Sequence, residues 1–378
     1  METMLSSEDL AYREECRLYA TRELVSLANT YGEVNEVPRE LRNSMGEAGF
    51  FKYLIPPEYG GYGVSALRIC LAREIFAGVY CPADVTLAMQ GLGSYPIILG
   101  GTEEQKLKYL PGVVKGDILT TFALTEPNAG SDVSNLETEA IKVEDGYLLT
   151  GKKMFISNGY SADMAIIFAK TSSQDAPRSI SAFVMEKGTS GFEVERRLEL
   201  IAAHDIVSLR LDNALIPEEN LLGNIGDGFK LAMNTLDLMR MTVGAAAVGM
   251  GQTALDEALS YALKRVQFGV PIAKQQGIMF KLADMATELE AARLLVYRAA
   301  IKKDNGAPDV TLAASMAKLY ATEAAWRAID QAVQIHGGVG VMKGSTVERL
   351  YREIRPLRIY EGTSEIQKLV ISRFLQKK

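Results

Sequence analysis

Apolar residues recur at helical intervals over the first third of the chain, from Ser7 to about Lys115. Two helix starts are predicted within this stretch. Ser6 precedes Asp9 with the spacing of a capped helix N-terminus, and Pro38 opens a second periodic segment, as proline does in the first turn of helices. The pattern predicts a helical N-terminal region.

The pattern changes between about Asp117 and Leu222, where short β-rich runs are separated by turns such as Glu144–Gly146. The runs that predict strands are ILTTFAL, YLLTG, MAIIFAK, SISAFVME, FEVER and VSLRLDN. From Gly226 onward helical spacing returns. One apolar face of a long helix there is formed by Ile278, Leu282, Met285, Leu289 and Ala292.

The three regions together predict an α+β multidomain protein. We expect an N-terminal helical domain over residues 1–117, a small β-barrel or β-sheet domain over 118–222 and a C-terminal four-helix-bundle domain over 223–378. Within the last domain, Gly244–Gly251 is rich in glycine and alanine. We interpret this segment as a place where two helices approach closely.

Length and charge restrict the classes of function. The chain has 378 residues, enough for two or three domains, and its 41 basic and 47 acidic side chains give a net charge of −6 without a long run of one sign. A nucleic-acid partner is therefore not expected. Apolar stretches such as Met164–Ala169 are much shorter than the roughly 20 residues of a membrane span, so no membrane insertion is expected.

The acidic N-terminal segment differs from a secretory or transit peptide, and we expect a cytoplasmic protein. Cys16, Cys70 and Cys81 show neither metal-binding nor disulfide spacing and are predicted to be buried thiols. Only His204 and His336 are available as imidazole ligands, so no metal site is expected. Catalysis would then depend on carboxylates or on a bound cofactor.

Two motifs of the strand-rich region carry groups suited to a polar ring or a phosphate. The turn Thr125–Asp132 combines hydroxyls, a glycine and backbone N–H groups after a buried strand. The segment Lys152–Asn158 brings together an aromatic ring, a hydroxyl and an amide, the set that an isoalloxazine ring needs for stacking and hydrogen bonding. Taken alone, the first also fits a plain structural turn, and Phe155 in the second also fits a core position.

A glutamate near the C-terminus lies just before a predicted helix. Ser364 and Gln367 have capping-box spacing, and a buried stripe is predicted from Ile366, Leu369, Val370 and Phe374. The helix dipole favours the ionised form of Glu361, while its neighbours Ile359 and Tyr360 predict a partly dry setting that strengthens it as a base. A glutamate at this position can also be no more than a helix cap.

Taken in chain order, these motifs resemble those of the acyl-CoA dehydrogenase family. The set consists of the Thr-Glu-Pro-x-Ala-Gly-Ser-Asp turn, the aromatic-Ile-Ser-Asn hairpin, Arg265-Val-Gln-Phe268-Gly, Gln334-Ile-His-Gly-Gly338 and Ile-Tyr-Glu361-Gly-Thr-Ser. The resemblance covers nearly the whole chain. It implies a fold of helical domain, β-domain and helical bundle, which matches the plan reached from periodicity.

The resemblance implies that FAD is the cofactor and that it lies between the β-domain and the C-terminal bundle. Leu124, Thr125 and Ser131 would contact the flavin and its phosphates, and Phe155 and Ser157 would line the ring. Phe155 stands where many family members have tryptophan.

A second group of residues matches positions that reach the FAD of a neighbouring subunit in the family. These residues are Arg265, Phe268, Gln276, Gln334 and Gly338. Thr363 is assigned to the cofactor as well. The resemblance thus implies a homo-oligomer, specifically a homotetramer. Arg265 suits contact with the FAD of a neighbouring subunit because a guanidinium can pair with pyrophosphate oxygens in a bidentate way.

Glu361 matches the catalytic base of the short- and medium-chain members, which removes the α-proton of an acyl-CoA thioester while the β-hydride passes to the flavin. Because that α-C–H is a very weak acid, the enolate-like oxygen must be stabilised as well. The family uses the backbone N–H of the base residue and a ribityl hydroxyl. Tyr360 and Gly362 of the same loop, together with Ser131, are therefore assigned to the substrate.

Some family branches carry the base on the long helix, directly before an arginine. Here Met239 precedes Arg240, so that competing base is absent and Glu361 remains the candidate. Arg240 matches a position associated with the CoA end of the substrate, and it is assigned with Asp237 to substrate binding. The alternative for Arg240 is a solvated helix charge.

Two departures from the family pattern are visible. Ile201–Ile206 stands where the family usually has a Gly-x-Arg-x-Ser-x-Thr run, so the contacts of that arginine and hydroxyl are expected to be lost. Asp84 falls in the helical segment that lines the acyl pocket in relatives, and glutaryl-CoA enzymes carry an arginine near this position to hold a second substrate carboxylate. An aspartate would repel that carboxylate, which disfavours dicarboxylic substrates. We interpret Asp84 either as a helix carboxylate that accepts backbone hydrogen bonds or as a polar contact to an unusual acyl group.

The resemblance implies a FAD-dependent acyl-CoA dehydrogenase that forms a trans-2,3 double bond, as in β-oxidation, and passes electrons to electron-transferring flavoprotein. The reverse reaction, an enoyl-CoA reductase, uses the same base and flavin and stays open. An oxidase is disfavoured because the peroxisomal relatives are much longer. A non-catalytic FAD- or acyl-CoA-binding scaffold is disfavoured because Glu361 is present.

Overall fold

The computed structural model describes residues 4–171 and 179–376. The chain forms two compact units, each assembled from segments that are distant in sequence. The helical unit comprises Met1–Thr30, Ser65–Asp84 and Asp237–Lys378. The sheet unit comprises Tyr31–Val64 and Val85–Leu236.

The first third of the chain is helical, as predicted. Its helices are α1 (Ser7–Tyr19), α2 (Val25–Tyr31), α3 (Arg39–Glu47), α4 (Ala66–Val79), α5 (Cys81–Gly100) and α6 (Glu103–Lys115). One turn of π-helix, Ala20–Leu24, joins α1 to α2. Ser6 Oγ accepts a hydrogen bond from Asp9 N (3.1 Å) and the Asp9 carboxylate accepts one from Ser6 N (3.0 Å), which confirms the predicted start of α1.

The strand-rich region forms an open sheet in the sheet unit. Its strands are β1 (Thr120–Ala123), β2 (Glu139–Val143), β3 (Gly146–Ser157), β4 (Met164–Thr171), β5 (Ser179–Glu186), β6 (Phe192–Arg197), β7 (Ile206–Ile216) and β8 (Leu221–Leu222). The order is β6-β7-β3-β2-β4-β5-β8, with β1 beside β4. Over the described residues this order does not close on itself, so of the two predicted forms the sheet is observed and the barrel is not.

The sheet is mainly antiparallel, with β4 parallel to both β1 and β2. Strand β2 was not predicted, and β3 extends further than the run YLLTG suggested. Alternate side chains form an apolar core that includes Tyr147, Leu149, Ile167, Phe183 and Leu209. The β3–β7 ladder shifts register between Lys153 and Ile156, which places an irregularity at the end of β3.

The last third of the chain is again helical. Its elements are α7 (Gly228–Lys264), β9 (Val266–Gln267), β10 (Val270–Pro271), α8 (Gln276–Asp304), α9 (Val310–His336), α10 (Thr346–Ile354) and α11 (Ser364–Gln376). Within the helical unit, α8, α10 and α11 pack against α9. Short 3-10 turns at Gly337–Val341 and Arg355–Arg358 connect these helices.

The small residues of Gly244–Gly251 provide the close helix approach that was predicted. A Cβ on Gly249 would lie 1.7 Å from the carbonyl oxygen of Glu74 on α4, and a Cβ on Gly251 would lie 2.5 Å from Leu289 on α8. Only glycine fits between α7 and these neighbours.

Two details of the predicted C-terminal helix are wrong. The N-cap of α11 is Thr363, whose Oγ1 accepts a hydrogen bond from Ile366 N (3.3 Å), one residue earlier than the predicted Ser364 cap. Leu369, predicted as buried, is 51% exposed, while the polar Gln367 is buried. The apolar spacing of this helix therefore does not mark a face that is buried within the chain.

The three cysteines are buried free thiols, as predicted. Among the described helices, none combines the length and apolar character needed to cross a membrane.

Candidate active site

Glu361 lies in a tight loop between the turn Arg355–Arg358 and helix α11. Its backbone is left-handed, with φ of 53°, and Gly362 follows with φ of 92°. A non-glycine residue in this region is strained, and such strain persists only where the surrounding structure enforces it. Strained backbone of this kind is typical of functional sites, so the loop is a candidate for one.

Side chains from α9 and α11 hold this loop. Gln367 Nε2 donates to the carbonyl oxygens of Glu361 (3.2 Å) and Gly362 (2.8 Å), and Lys318 Nζ donates to the carbonyl oxygen of Gly362 (2.8 Å). Both donors are fully buried. Any other residue at Gly362 would strain the left-handed backbone, and its Cβ, 2.6 Å from Gln367 Nε2, would displace that amide.

The Glu361 carboxylate is suited to accept a proton. Its Oε2 atom is buried and has no hydrogen-bond partner among the described residues. Desolvation raises the pKa of Glu361 above its ordinary value; Arg73, Arg240 and Lys318 act to lower it, and Asp84 acts to raise it. Because burial outweighs the cations, this carboxylate binds a proton more readily than an exposed glutamate does, as a general base requires.

Arg73, on α4, is a residue of this cluster that was not predicted. Its Nε and Nη2 donate to the two carboxylate oxygens of Asp84 at 2.6 and 3.0 Å, and its Nη1 donates to Thr242 Oγ1 at 2.6 Å. Asp84 is thus held by a guanidinium, a partner that neither interpretation from the sequence included. The available signal was a pair of charged residues, Arg73 and Glu74, within the otherwise apolar run Ile69–Val79 of α4.

Lys318, on α9, was also not predicted. Burial lowers its pKa to about 8, although Glu361 acts in the opposite direction. Lys318 lies one helical turn from the buried Ala314 and Thr322, and a lysine on such a face could have been noticed in the sequence. For Tyr360 burial acts in the other direction and raises the pKa well above its ordinary value, because the charged form of tyrosine is also the one that burial disfavours.

Arg240, on α7, was predicted and lies in the same electrostatic cluster. Its Nη1 donates to Asp237 Oδ1 at 2.7 Å, and Thr311 Oγ1 donates to the other oxygen of Asp237. Arg240 is 5% exposed, which excludes the alternative of a solvated helix charge. Its Nε–H is buried and has no partner among the described residues, so it can donate to a bound ligand.

The predicted flavin-contact turn lies in the sheet unit, after β1. Two backbone hydrogen bonds close it, from Glu126 N to Ala129 O (3.0 Å) and from Ala129 N to Glu126 O (3.2 Å). The carbonyl oxygen of Thr125 accepts from Met154 N (2.9 Å), which ties the turn to β3. Ser131 lies at the exposed end of the turn.

A buried ion pair supports this turn. Lys153 Nζ donates to Glu126 Oε1 (2.6 Å), to the carbonyl oxygen of Phe168 (2.5 Å) and, more weakly, to that of Leu124 (3.4 Å). The Lys153 side chain is fully buried, and burial lowers its pKa to about 8. This pair fixes the backbone of Leu124 and Glu126 on either side of Thr125.

Phe155 and Ser157 lie at the irregular end of β3. Phe155 has a left-handed φ of 57° and its side chain is 55% exposed, so the alternative of a core position is wrong. Ser157 Oγ lies 2.8 Å from His204 Nε2, and the Ser157 carbonyl oxygen accepts from Thr121 Oγ1 (2.6 Å). An exposed ring on strained backbone beside an oriented hydroxyl fits a flavin edge.

The atypical segment Ile201–Ile206 supplies its own contacts. The backbone N–H of His204 donates to Asn35 Oδ1 (2.9 Å), and the Asp205 carboxylate accepts from the backbone N–H of Ser161 (3.1 Å). Desolvation lowers the pKa of His204 to about 4, so the imidazole beside Ser157 is neutral at physiological pH. Here the histidine provides a local partner for Ser157.

The residues assigned to a neighbouring subunit's cofactor lie on the surface of the helical unit. Phe268, between β9 and β10, has a left-handed φ of 54° and is 95% exposed. Arg265, Gln276, Gln334 and Gly338 are exposed as well. Thr363 lies apart from them as the cap of α11. The structure thus gathers Tyr360, Glu361, Asp84 and Arg240 into one cluster and leaves this second set on the surface of the described chain.

The residues present fit a flavin nucleotide. Within the sheet unit, the exposed Phe155 ring offers a stacking surface, and the hydroxyls of Thr125, Ser131 and Ser157 offer hydrogen bonds.

Three family models match the chain in succession. They are the acyl-CoA dehydrogenase N-terminal domain at residues 6–117, the middle domain at 121–214 and the C-terminal domain at 226–376.

Curated relatives match over nearly their whole length. An acyl-CoA dehydrogenase of Bacillus subtilis (strain 168) is 45% identical over 98% of both chains. The caffeyl-CoA reductase-Etf complex subunit CarC of Acetobacterium woodii is 43% identical over 99% of both chains.

Solved structures show the same fold. Butyryl-CoA dehydrogenase from Megasphaera elsdenii superimposes with a TM-score of 0.93 at 38% identity, covering 98% of this chain and 99% of that one. PigA in its complex with FAD superimposes with a TM-score of 0.91 at 29% identity, covering 98% of each chain.

Proposed function

Because the chain belongs to the acyl-CoA dehydrogenase family, we propose that it is a FAD-dependent oxidoreductase that oxidises an acyl-CoA thioester between the α- and β-carbons, with Glu361 as the base. One observation carries the base assignment. The Oε2 atom of Glu361 is buried and has no partner among the described residues, and the loop backbone at Glu361 is strained. The charges of Arg73, Arg240 and Lys318 act on the same carboxyl group.

The chemistry that FAD supplies when bound is acceptance of the β-hydride. Phe155 would stack on the ring, and Ser157 would hydrogen-bond its edge, oriented by His204. Thr125 and Ser131 would bind polar groups of the flavin nucleotide, with the Lys153–Glu126 pair holding their turn.

Glu361 takes the α-proton on its carboxylate. As the α-C–H bond breaks, its electron pair forms the new double bond, and the β-C–H pair leaves as hydride. The backbone N–H of Glu361 and the free Nε–H of Arg240 would donate hydrogen bonds to the thioester portion of the substrate, stabilising negative charge on the carbonyl oxygen. Tyr360, Gly362 and Asp237 would shape this end of the site.

The proposal is tested by anaerobic titration of the purified flavoprotein with a panel of short, medium, branched and alicyclic acyl-CoAs. One thioester should bleach the flavin band of the wild type, while Glu361→Gln should bind it without bleaching. Glu365→Gln, which neutralises an exposed glutamate four residues away, is the matched control and should bleach normally. Bleaching of Glu361→Gln at the wild-type rate would overturn the base assignment.

A second candidate is the reverse reaction, reduction of an enoyl-CoA. The observation that favours it is the 43% identity to a caffeyl-CoA reductase-Etf complex subunit. The same base then acts as the proton donor to the α-carbon. Photoreduced enzyme mixed with enoyl-CoA tests this direction: rapid return of the flavin band supports it, and a stable reduced flavin contradicts it.

We also propose electron-transferring flavoprotein as the redox partner and a cytoplasmic homotetramer as the working state. The exposed Arg265 and Phe268 support oligomerisation, because a neighbouring subunit would cover them. Light scattering should give four times the 41.3 kDa chain mass, and a monomer that retains FAD would contradict the proposal.

The division into domains at 1–117, 118–222 and 223–378 remains a proposal as well. The ranges of the three matched family models support it. Limited proteolysis should cut near residues 117 and 222 before it cuts within the domains.

A further inference from the structure

One carboxylate on α9 binds both ends of the loop that carries Glu361. This base loop, residues 359–363, lies between Arg358 and Ser364. Arg358 Nε and Nη2 donate to the two oxygens of Glu323 at 3.0 and 2.8 Å, and Ser364 Oγ donates to Glu323 Oε1 at 2.6 Å. All of these residues belong to the helical unit.

The contacts of Glu323 restrict the shape of the base loop. Because both ends of the loop bind the same side chain, they cannot move apart, and the residues between them must turn back on themselves. The backbone makes this turn with left-handed φ of 53° at Glu361 and 92° at Gly362. Strain of this kind persists only where surrounding contacts enforce it. The three hydrogen bonds of Glu323 supply such contacts at the two ends of the loop.

A second side chain of α9 binds the base loop near its middle. Lys318 Nζ donates to the carbonyl oxygen of Gly362 at 2.8 Å, and Lys318 lies five residues before Glu323. One helix therefore contacts the loop at both ends and at its centre. Functional groups supported by a helix are held more precisely than groups that depend on a loop alone.

Stability alone gives little reason for the contacts of Glu323. The side chains of Arg358 and Glu323 are 27% and 24% exposed, and ion pairs near the surface generally add little to the free energy of unfolding. A bidentate arginine–carboxylate pair does, however, add geometric specificity. Desolvation acts to raise the pKa of Glu323, but the hydrogen bonds from Ser364 and Arg358 outweigh it and lower this pKa below its ordinary value. The carboxylate is therefore ionised at neutral pH and can bind both partners.

We propose that Glu323 is a positioning residue for the base. By binding Arg358 and Ser364 together, it holds the base loop in the shape that places the Glu361 carboxylate for proton transfer. Glu323 acts through the loop and not on the substrate. The proposal rests on the proposed function only for the role of Glu361 as base.

The experiment measures single-turnover bleaching of the FAD-loaded enzyme by the acyl-CoA of the panel that bleaches the wild type. Glu323→Gln removes the carboxylate that binds both ends of the loop and should lower the bleaching rate constant at saturating acyl-CoA about tenfold. The acyl-CoA concentration that gives the half-maximal rate should change less, because Asp237 and Arg240 lie outside the base loop. A loss of stability alone would reduce the amount of folded enzyme but not this rate constant.

The two ends of the base loop provide independent variants. Arg358→Gln and Ser364→Ala each remove one partner of Glu323 and should each slow bleaching about threefold or more. The double variant Glu323→Gln/Arg358→Gln should be no slower than the slower of its two single variants, because both changes break the same contact. Ser364→Thr keeps the hydroxyl and should bleach at the wild-type rate.

The only tryptophan of the chain provides a readout that does not depend on activity. Trp326 lies three residues after Glu323 on α9, and the guanidinium carbon of Arg358 is 5.4 Å from the centre of its ring. Glu323→Gln and Arg358→Gln should therefore change the tryptophan emission. Ser364→Ala should leave the emission nearly unchanged while it slows bleaching.

The control for breaking an ion pair of α9 is Glu288→Gln. Glu288 on α8 accepts from Arg327 Nε at 3.0 Å, and Arg327 lies four residues after Glu323. The variant removes a charged contact between two helices without changing a contact of the base loop. It should bleach at the wild-type rate.

Bleaching of Glu323→Gln at the wild-type rate would overturn the proposal, and a changed tryptophan emission in the same variant would show that the contact had been broken. Equal slowing in Glu288→Gln would also overturn it. If Glu323→Gln does not fold, Arg358→Gln and Ser364→Ala decide, and wild-type rates in both would refute the proposal. The proposed function fails separately, if Glu361→Gln bleaches as readily as the wild type, so the two failures are distinguishable.

Discussion

The substitution Gly362→Ala tests whether the loop around Glu361 is built for position. Gly362 has φ of 92°, and an added Cβ would lie 2.6 Å from Gln367 Nε2. Left-handed backbone costs a non-glycine residue about 1–2 kcal/mol. Displacing the Gln367 amide also weakens its hydrogen bonds to two loop carbonyls, at about 1 kcal/mol each.

The expected loss of unfolding free energy is therefore about 2–4 kcal/mol. Gly306→Ala is the matched control, because Gly306 has φ of 65° but nothing within 4 Å of an added Cβ. It should lose about 1–2 kcal/mol from backbone strain alone. Urea unfolding measures the difference in unfolding free energy between the two variants, provided that both show the same dependence on urea concentration.

The two variants should differ more in activity than in stability. Displacement of Glu361 by a fraction of an ångström should slow flavin reduction by acyl-CoA at least about tenfold in Gly362→Ala, while Gly306→Ala stays at the wild-type rate. Equal losses of stability and activity in the two variants would refute the idea that the loop is held by the Gln367 contacts.

Other parts of the structure give four further predictions. Because burial raises the pKa of Glu361 above 4.5, flavin reduction should be lost as the pH falls, with a midpoint above 4.5 in a pH–rate profile; a midpoint below 4.5 would contradict this. Because burial lowers the pKa of His204 to about 4, its imidazole stays neutral between about pH 6 and 8, and the wild-type flavin spectrum should not change in that window through this group. His204→Phe removes the 2.8 Å partner of Ser157 and should shift the flavin absorbance at every pH, whereas an unchanged spectrum would show that Ser157 is not near the ring. Gly249→Ala would place a Cβ 1.7 Å from the Glu74 carbonyl oxygen and should cost about 3 kcal/mol by denaturant titration; a loss under about 1 kcal/mol would contradict the close helix contact.

Local patterns predicted the parts of the fold that depend on neighbours in sequence. Ser6 and Asp9 cap α1 as their spacing indicated, and Gly249 allows the helix approach that its small neighbours indicated. Strand β2 was missed because it is short and three of its five residues face solvent. The prediction that Leu369 is buried was wrong because no other part of the described chain covers that side of α11.

The candidate site also contains residues that local patterns predict and residues that they do not. Glu361 and Arg240 could be predicted from motifs, since each lies in a short recognisable run. The strain at Phe155 could not, because it arises from a register shift between β3 and β7 that depends on both strands. The Arg73–Asp84 pair could not either, because its members lie eleven residues apart on two helices whose crossing decides whether they meet.

The segment Ile201–Ile206 shows a limit of reasoning from a family pattern. The sequence predicted a loss of contacts where arginine and hydroxyl are usual, and it offered no replacement. The structure supplies His204 Nε2 at 2.8 Å from Ser157 Oγ and Asp205 on the backbone of Ser161. A departure from a motif can thus carry a substitute that becomes visible only when the partner strands are in place.

The most direct test of Glu361 as the base is α-proton exchange, measured without any hydride transfer. An acyl-CoA substituted at the β-position so that no hydride can leave is incubated with the enzyme in D₂O, and NMR follows deuterium at the α-carbon. The wild type and Glu365→Gln should incorporate deuterium, and Glu361→Gln should slow incorporation by at least about a hundredfold. Incorporation by Glu361→Gln at the wild-type rate would contradict the central assignment.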